Sequence, residues 1–400
     1  MSMYAHAHLV VAGLTGQYGT VGLYGALQRL LLAFTLAAAP LSCFIDAPFG
    51  RFGSGTSSRW ACTVSGVYGW LVMELVAPVA YLVGVSAPVS TSSSSAAGWR
   101  ADLLPSLSSA SAAFRCLPRA RQILVIAFLV HYANRSLVST WRNPSRARMH
   151  LAVPLSAILF NSANGFTMGM YVAGGFGRGA GHHDATALSG FRDDDARWAR
   201  PLFWIGIAVW LIGFASNIYH DEVLYALKRR QPSPSPSPSS PKPGKGTGRA
   251  EREGEGGDTT TTAAERSRYS IPPRTKGLYR LISHPSYLSE WIEWTGYFLA
   301  TLSLGPSPFP SHAATLVFRS AGSNVGRRLV PLPPELKPFG SFPGNNRSLI
   351  LPSPPALFVL LEIALMLPRA TRGHKWYERT FGPERWRTQG QRWVVVPHVW

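Results

Sequence analysis

The sequence predicts an all-α protein, a polytopic membrane helix bundle with about seven transmembrane helices, and three observations support this. Of 400 residues, 46% are hydrophobic and 15% charged, a balance shared by large soluble enzymes and small membrane proteins, so clustering decides. Apolar stretches close to the ~20 residues that cross a bilayer recur at 20–43, 62–86, 121–141, 149–174, 201–219, 287–304 and 353–368. Arg29, His131, Asn134, Arg135, Asn161, Asn164 and Asn217 interrupt these runs; in a helical membrane bundle such residues mark an internal polar cavity. Basic residues, thirdly, gather in particular connections.

Taken in order, residues 1–19 are weakly apolar and have no assigned function; they lack the pattern of a cleaved signal peptide. Run one ends at Ile45, and Asp46 to Phe52, with Pro48 and Gly50, predict a turn at the membrane surface. In run two, Trp70 and Glu74 lie four apart on one helix face. A lone glutamate in so apolar a stretch is protonated, paired or in a wet cavity, the bland reading being a charge near a helix end. Residues 86–113 are serine-dominated and predict a loop. Run three closes on His131, Tyr132 and Arg135, a donor and a fixed cation on adjoining faces, followed by Arg142, Arg146 and Arg148. Such a basic loop suits phosphate, and it also suits cytoplasmic topology alone.

Run four contains Phe160, Asn161, Asn164 and Gly165, with Gly169 four beyond, a small-residue spacing that lets helices approach. His182, His183 and Asp184 lack a third ligand at suitable spacing, so no metal is assigned. Run five leads into Asn217 and Asp221, four apart at a membrane exit. Residues 231–265 carry a Ser-Pro repeat and a polar mixture, a linker insertion that buries no core. Pro272 and Pro273 stop an arriving helix, Gly277 permits a turn, and a helix begins near His284 with Pro285 in its first turn. On it Glu290 and Trp294 share a face with Tyr287 and Tyr297, and Glu293 lies close by. Such carboxylates face a cavity, a cofactor or a partner charge, or reach back to interfacial water. Residues 306–352 are Pro-rich and patternless, and run seven leads into Arg369, His374 and Tyr377. The expected divisions are 1–230 with five helices, the insertion 231–265, and 266–400 with two more. Cys43, Cys62 and Cys116 have neither metal nor redox spacing.

Tyr269, Ile271 and Pro272, Gly277 and Leu278, and the S-x-x-x-Y-L-x-E-x-I-E-W-x-G-Y run from Ser283 to Tyr297 resemble the C-terminal signature of the steroid 5-alpha-reductase family. The resemblance extends to Pro48–Arg51, to H-Y-x-x-R at His131–Arg135 and to N-I-x-x-D at Asn217–Asp221. It implies an NADPH-dependent membrane enzyme that reduces the double bond of a 3-oxo-4-ene steroid or related enone lipid. Glu74 and Tyr132 match catalytic positions, and a protonated Glu74 would donate with Tyr132 to the enone carbonyl. Arg51, Arg135, Arg146, Asn217, Asp221, Tyr269, Glu290 and Tyr377 match cofactor-binding positions; Trp70, Phe160, Asn164 and Trp294 match the substrate lining. Phe49, Met73, Lys228 and Gly373 depart from the family pattern. The HPSYL segment also resembles isoprenylcysteine methyltransferases, which use S-adenosylmethionine; enoyl-CoA or polyprenol reductases and a non-catalytic sterol-binding or transport protein are further readings.

The net charge of +19 implies an anionic partner, lipid headgroups or a phosphorylated ligand, and no nucleic-acid motif accompanies it. Residues 228–281 hold 12 Lys and Arg and the 369–400 tail holds 7. Positive-inside reasoning puts the C-terminus and the proposed cofactor loops in the cytosol of a multi-pass endoplasmic reticulum protein, with Asn346 of the N-R-S sequon in the lumen.

Overall fold

The computed structural model describes residues 3–44, 62–87, 107–174, 200–230, 269–304 and 352–399. Arg51 and its turn, His182 and His183, the 231–265 insertion, Asn346 and all but the last residue of the 306–352 segment lie outside these residues. Among the described residues the chain is a bundle of helices with a single two-stranded ribbon. Seven long helices coincide with the seven apolar runs: α1 (Met3–Phe44), α2 (Gly66–Ser86), α4 (Arg119–Arg142), α5 (Ala152–Ala173), α6 (Pro201–Arg230), α7 (Pro285–Leu302) and α8 (Pro354–Phe381). Short α3 (Leu107–Cys116) and α9 (Pro383–Gln389) complete them.

Five of the seven (α1, α2, α4, α6 and α8) contain a stretch long and apolar enough to cross a bilayer. The other two, α5 and α7, are diluted by Asn161 and Asn164 and by Glu290 and Glu293, all buried. These polar side chains point inward, and each helix lies along a more apolar partner, α5 on α2 and α7 on α6. Leu30, Leu36, Val72, Leu159, Ile212 and Leu360 instead face outward, as expected of lipid-facing helices.

Two sequence expectations change. The serine-rich stretch predicted as loop through residue 113 already becomes helix at Leu107, because Ala110 and Ala113 pack inward and Arg115 sits in the last turn. Several helices also outrun their apolar cores: α6 continues to Arg230 and α8 to Phe381, carrying Asp221 and Tyr377 beyond the hydrocarbon-like sequence. The helix predicted from His284 starts there, with His284 as N-cap and Pro285 in the first turn.

Prolines inside helices expose carbonyls, and the fold uses them. Pro368 in α8 deprives the Ala364 carbonyl of its usual N–H, and Ser42 Oγ of α1 donates to it at 3.2 Å. Pro78 similarly frees the backbone carbonyl of Glu74. Close approach depends on glycine. A Cβ on Gly169 of α5 would stand 2.1 Å from the Tyr81 carbonyl oxygen of α2, so only hydrogen fits there.

A Gly169→Ala change must therefore push α5 from α2, and by analogy with overpacked cores it is expected to cost about 1–3 kcal/mol. Thermal unfolding in detergent would show a lowered midpoint; an unchanged midpoint would contradict the close crossing.

Candidate active site

The third apolar run ends in a local widening of its helix. Within α4, Asn134–Val138 is π-helical, a form that recurs at functional sites because it re-aims side chains. Carbonyls near this widening find side-chain donors: Ser136 Oγ to Tyr132 O (2.6 Å), Ser139 Oγ to Arg135 O (2.5 Å) and Trp70 Nε1 to the same Arg135 O (3.1 Å). The result fixes Tyr132 and Arg135 against α2 and α7.

Arg135 bridges carboxylates from those two helices. Its Nε donates to Glu74 Oε1 at 3.1 Å, and its Nη1 lies 3.1 and 3.3 Å from the two oxygens of Glu290. Both glutamates are buried, so each needs the cation that the other shares. Glu74, which the resemblance makes a donor to the substrate carbonyl, accepts at its Oε1 from Arg135. Next to this trio, His131 Nδ1 meets Glu293 Oε1 at 2.6 Å, with both side chains buried, while Glu293 Oε2 has no hydrogen-bond partner among the described residues. The i, i+3 spacing of Glu290 and Glu293 thus serves two different partners on α4.

Tyr132 is 3% exposed and packs on Phe128, His131 and Trp294. Among the described residues nothing hydrogen-bonds its hydroxyl, although Glu74, Arg135, Glu290 and Glu362 lie within electrostatic reach. Trp294 is 1% exposed, with its ring against Phe358 at 4.6 Å, and among the described residues neither its Nε1 nor Nδ2 of buried Asn164 has a hydrogen-bond partner. Asn161 donates to Met73 O at 2.6 Å. Phe160 stacks on Phe358 with ring centroids 6.2 Å apart.

On the side of the basic loop, the Arg146 guanidinium lies 4.1 Å over Trp70, which also underlies Arg135 at 5.1 Å. The Thr63–Val64 and Met149–His150 ribbon holds this loop, and Arg148 adds bonds of 3.0 and 2.8 Å to Thr63. Arg146 Nη2 donates to Ser139 Oγ at 3.4 Å, while among the described residues its buried Nε has no hydrogen-bond partner and no carboxylate pairs with it. Burial lowers its pKa below the usual guanidinium value. Across from it on α6, Asp221 Oδ1 accepts from Ser286 Oγ at 2.7 Å, and buried Asn217 has no hydrogen-bond partner among the described residues. Lys228 donates to Asn143 Oδ1 and Ser145 O. A guanidinium with no carboxylate partner among the described residues, a buried amide and an aromatic face suit the phosphates and ring of a dinucleotide.

Tyr269 and Tyr377 occupy a separate aromatic group. Tyr269 meets Trp376 edge-on at 4.8 Å, and Tyr377 stacks on Trp386 at 5.4 Å. Ser283 Oγ there contacts Nδ1 of His284 and of His374 at 2.8 and 2.9 Å. The described residues therefore bring together Glu74, Tyr132, Arg135, Glu290, Trp70, Arg146 and Trp294, place Asn217 and Asp221 beside them on α6, and put Phe160, Tyr269 and Tyr377 at the margins. Glu362 is the participant that the sequence reading does not single out, although a lone acid in run seven is an available signal.

Arg135→Gln would leave buried carboxylates without their cation, expected to cost about 3–5 kcal/mol. Arg135→Gln/Glu74→Gln/Glu290→Gln, lacking both charges and partner, should recover much of it in a thermal melt. A single variant as stable as wild type would contradict the ion-pair geometry.

Residues 188–318 match a family profile described as a protein of unknown function, DUF1295. An uncharacterized protein of Schizosaccharomyces pombe is 30% identical over 359 residues, covering 90% of this chain and 94% of that one. The 3-oxo-5-alpha-steroid 4-dehydrogenase 1 of Bos taurus is 27% identical over 303 residues, 75% of this chain and 87% of its own. The steroid 5-alpha-reductase DET2 of Solanum lycopersicum is 26% identical over 234 residues, 58% and 68% respectively.

Proposed function

The chain belongs to the steroid 5-alpha-reductase family, and from that premise we propose that it is an NADPH-dependent oxidoreductase reducing the 4,5 double bond of a 3-oxo-4-ene steroid or related enone lipid. One observation supports this above the others. A buried phenol, Tyr132, with no hydrogen-bond partner among the described residues stands beside the Glu74–Arg135–Glu290 ion trio and against Trp294. A conjugated ketone taking hydride at its β carbon gathers negative charge on oxygen, and a fixed donor at that point lowers the barrier.

Tyr132 is the donor in this reading. Glu74 and Glu290 hold Arg135, whose position sets the helix turn bearing Tyr132; Trp294, Phe358 and Phe128 form an apolar wall that excludes water and suits fused rings. NADPH supplies the hydride when bound. Arg146, Asn217, Asp221, Glu290 and Arg135 would hold it, Arg146 and Arg135 against phosphate and Trp70 beneath them. Phe160 and Asn164 would belong to the substrate end, and Tyr269 and Tyr377 to the outer edge of the cofactor site.

The basic connections support a reading in which these cofactor groups and the C-terminus face the cytosol, where NADPH is found, in a multi-pass protein of the endoplasmic reticulum membrane. A glycosylation-mapping fusion reporting a luminal C-terminus would overturn that orientation.

Purified protein offered a 4-ene-3-oxosteroid should consume NADPH. Tyr132→Phe is expected to lower kcat by about a hundredfold or more while retaining NADPH affinity; Arg146→Ala should weaken NADPH binding by about tenfold or more, the loss of a charge-assisted contact. Undiminished turnover in Tyr132→Phe would remove the proposed donor.

A further inference from the structure

Around the widened turn of α4, and among the described residues, four carboxylates meet two basic side chains. From α2, α7 and α8, Glu74, Glu290, Glu293 and Glu362 converge on α4, which answers with Arg135 and His131. Arg135 takes Glu74 and Glu290, and His131 takes Glu293. Glu362 is the one left over. The side chain is half-buried, but its Oε2 is shut off from solvent, and among the described residues that oxygen has no hydrogen-bond partner and no cation pairs with it. Glu290, Arg135, Glu74, Glu293 and Tyr132 lie within electrostatic reach of it. One turn earlier on α8, Phe358 touches Trp294, so Glu362 projects from the same helix face as the aromatic wall of the site. An unpaired carboxylate among three other acids in a membrane interior is strongly disfavoured; a neutral carboxylic acid is not.

We propose that Glu362 is the proton-bearing carboxyl of this site and the acid that protonates the α carbon of the substrate. This rests on the enone-reductase reading. Once hydride has reached the β carbon, its electron pair forming the new C–H bond, the π electrons of the double bond reside on the enolate. The enolate closes its α carbon on the Glu362 proton, the O–H pair stays on the carboxylate, and water restores the proton. The hydride's two electrons come from the reduced dinucleotide, which leaves oxidised. Tyr132 keeps its own proton and holds the oxygen. Glu74, already engaged by Arg135, has no part in the transfer.

Infrared spectroscopy on the ligand-free protein at neutral pH reads the first half of the proposal without any turnover. Wild-type protein with carbon-13-labelled glutamate should show a carboxylic-acid C=O band that moves with the label, absent from Glu362→Gln and present in Glu74→Gln. Absence of any glutamic-acid band from wild type, or its loss in Glu74→Gln alone, overturns the proposal whether or not the variants fold well. The second half is read in turnover: Glu362→Gln should lose about a hundredfold or more in kcat, with NADPH affinity kept, and Glu362→Asp should recover part of it. Full turnover in Glu362→Gln overturns the role as acid while leaving the reductase reading intact; a wild-type protein that shows the band but reduces no enone defeats the reductase reading instead.

Discussion

A guanidinium shared between two buried carboxylates is the constraint on which the rest of this structure depends. Arg135 on α4, Glu74 on α2 and Glu290 on α7 come from three separate helices, and none of the three charges is tolerable alone in an apolar interior. Pairing them fixes the rotation of each helix about its own axis. That rotation in turn sets what stands on the adjoining faces: Tyr132 and His131 from α4, Trp70 from α2, Glu293 and Trp294 from α7. Charge neutralisation and site assembly are therefore the same event.

Close helix approach is what makes the pairing geometrically available. Gly169 and Gly84 let α5 lie against α2, and Gly213 and Gly296 do the same for α6 and α7, each position having backbone of the partner helix where a side chain would go. The polar helices α5 and α7 are thus sheathed by more apolar ones. The π-helical turn and Pro368 release carbonyls, which Ser136, Ser139, Trp70 and Ser42 take up.

Much of this was legible in the sequence because charge in an apolar run has few explanations. Glu74, Arg135 and Glu290 stood out for that reason, and the bundle followed from the length and spacing of the runs. The N-terminal limit of α7 was legible because His284-Pro285 leaves only one way to begin a helix. Partner choice was not legible. Spacing on one helix says which residues share a face, but whether Glu74 meets a proton or Arg135 depends on helices sixty residues apart in sequence. Glu362 was missed for the same reason: its meaning lies in what the other acids already have. The helix at Leu107 was hidden by serines whose propensity is neutral and whose alanine neighbours find a packing surface only in three dimensions.

The central claim is that the interior acid–base cluster serves reduction of a conjugated lipid ketone. Its most direct measurement is mass spectrometry of the product formed from a 4-ene-3-oxosteroid and NADPH deuterated at its transferable hydrogen. Deuterium on the β carbon, with the α hydrogen drawn from solvent, is the predicted outcome; unlabelled product, or label at the α carbon alone, would contradict it.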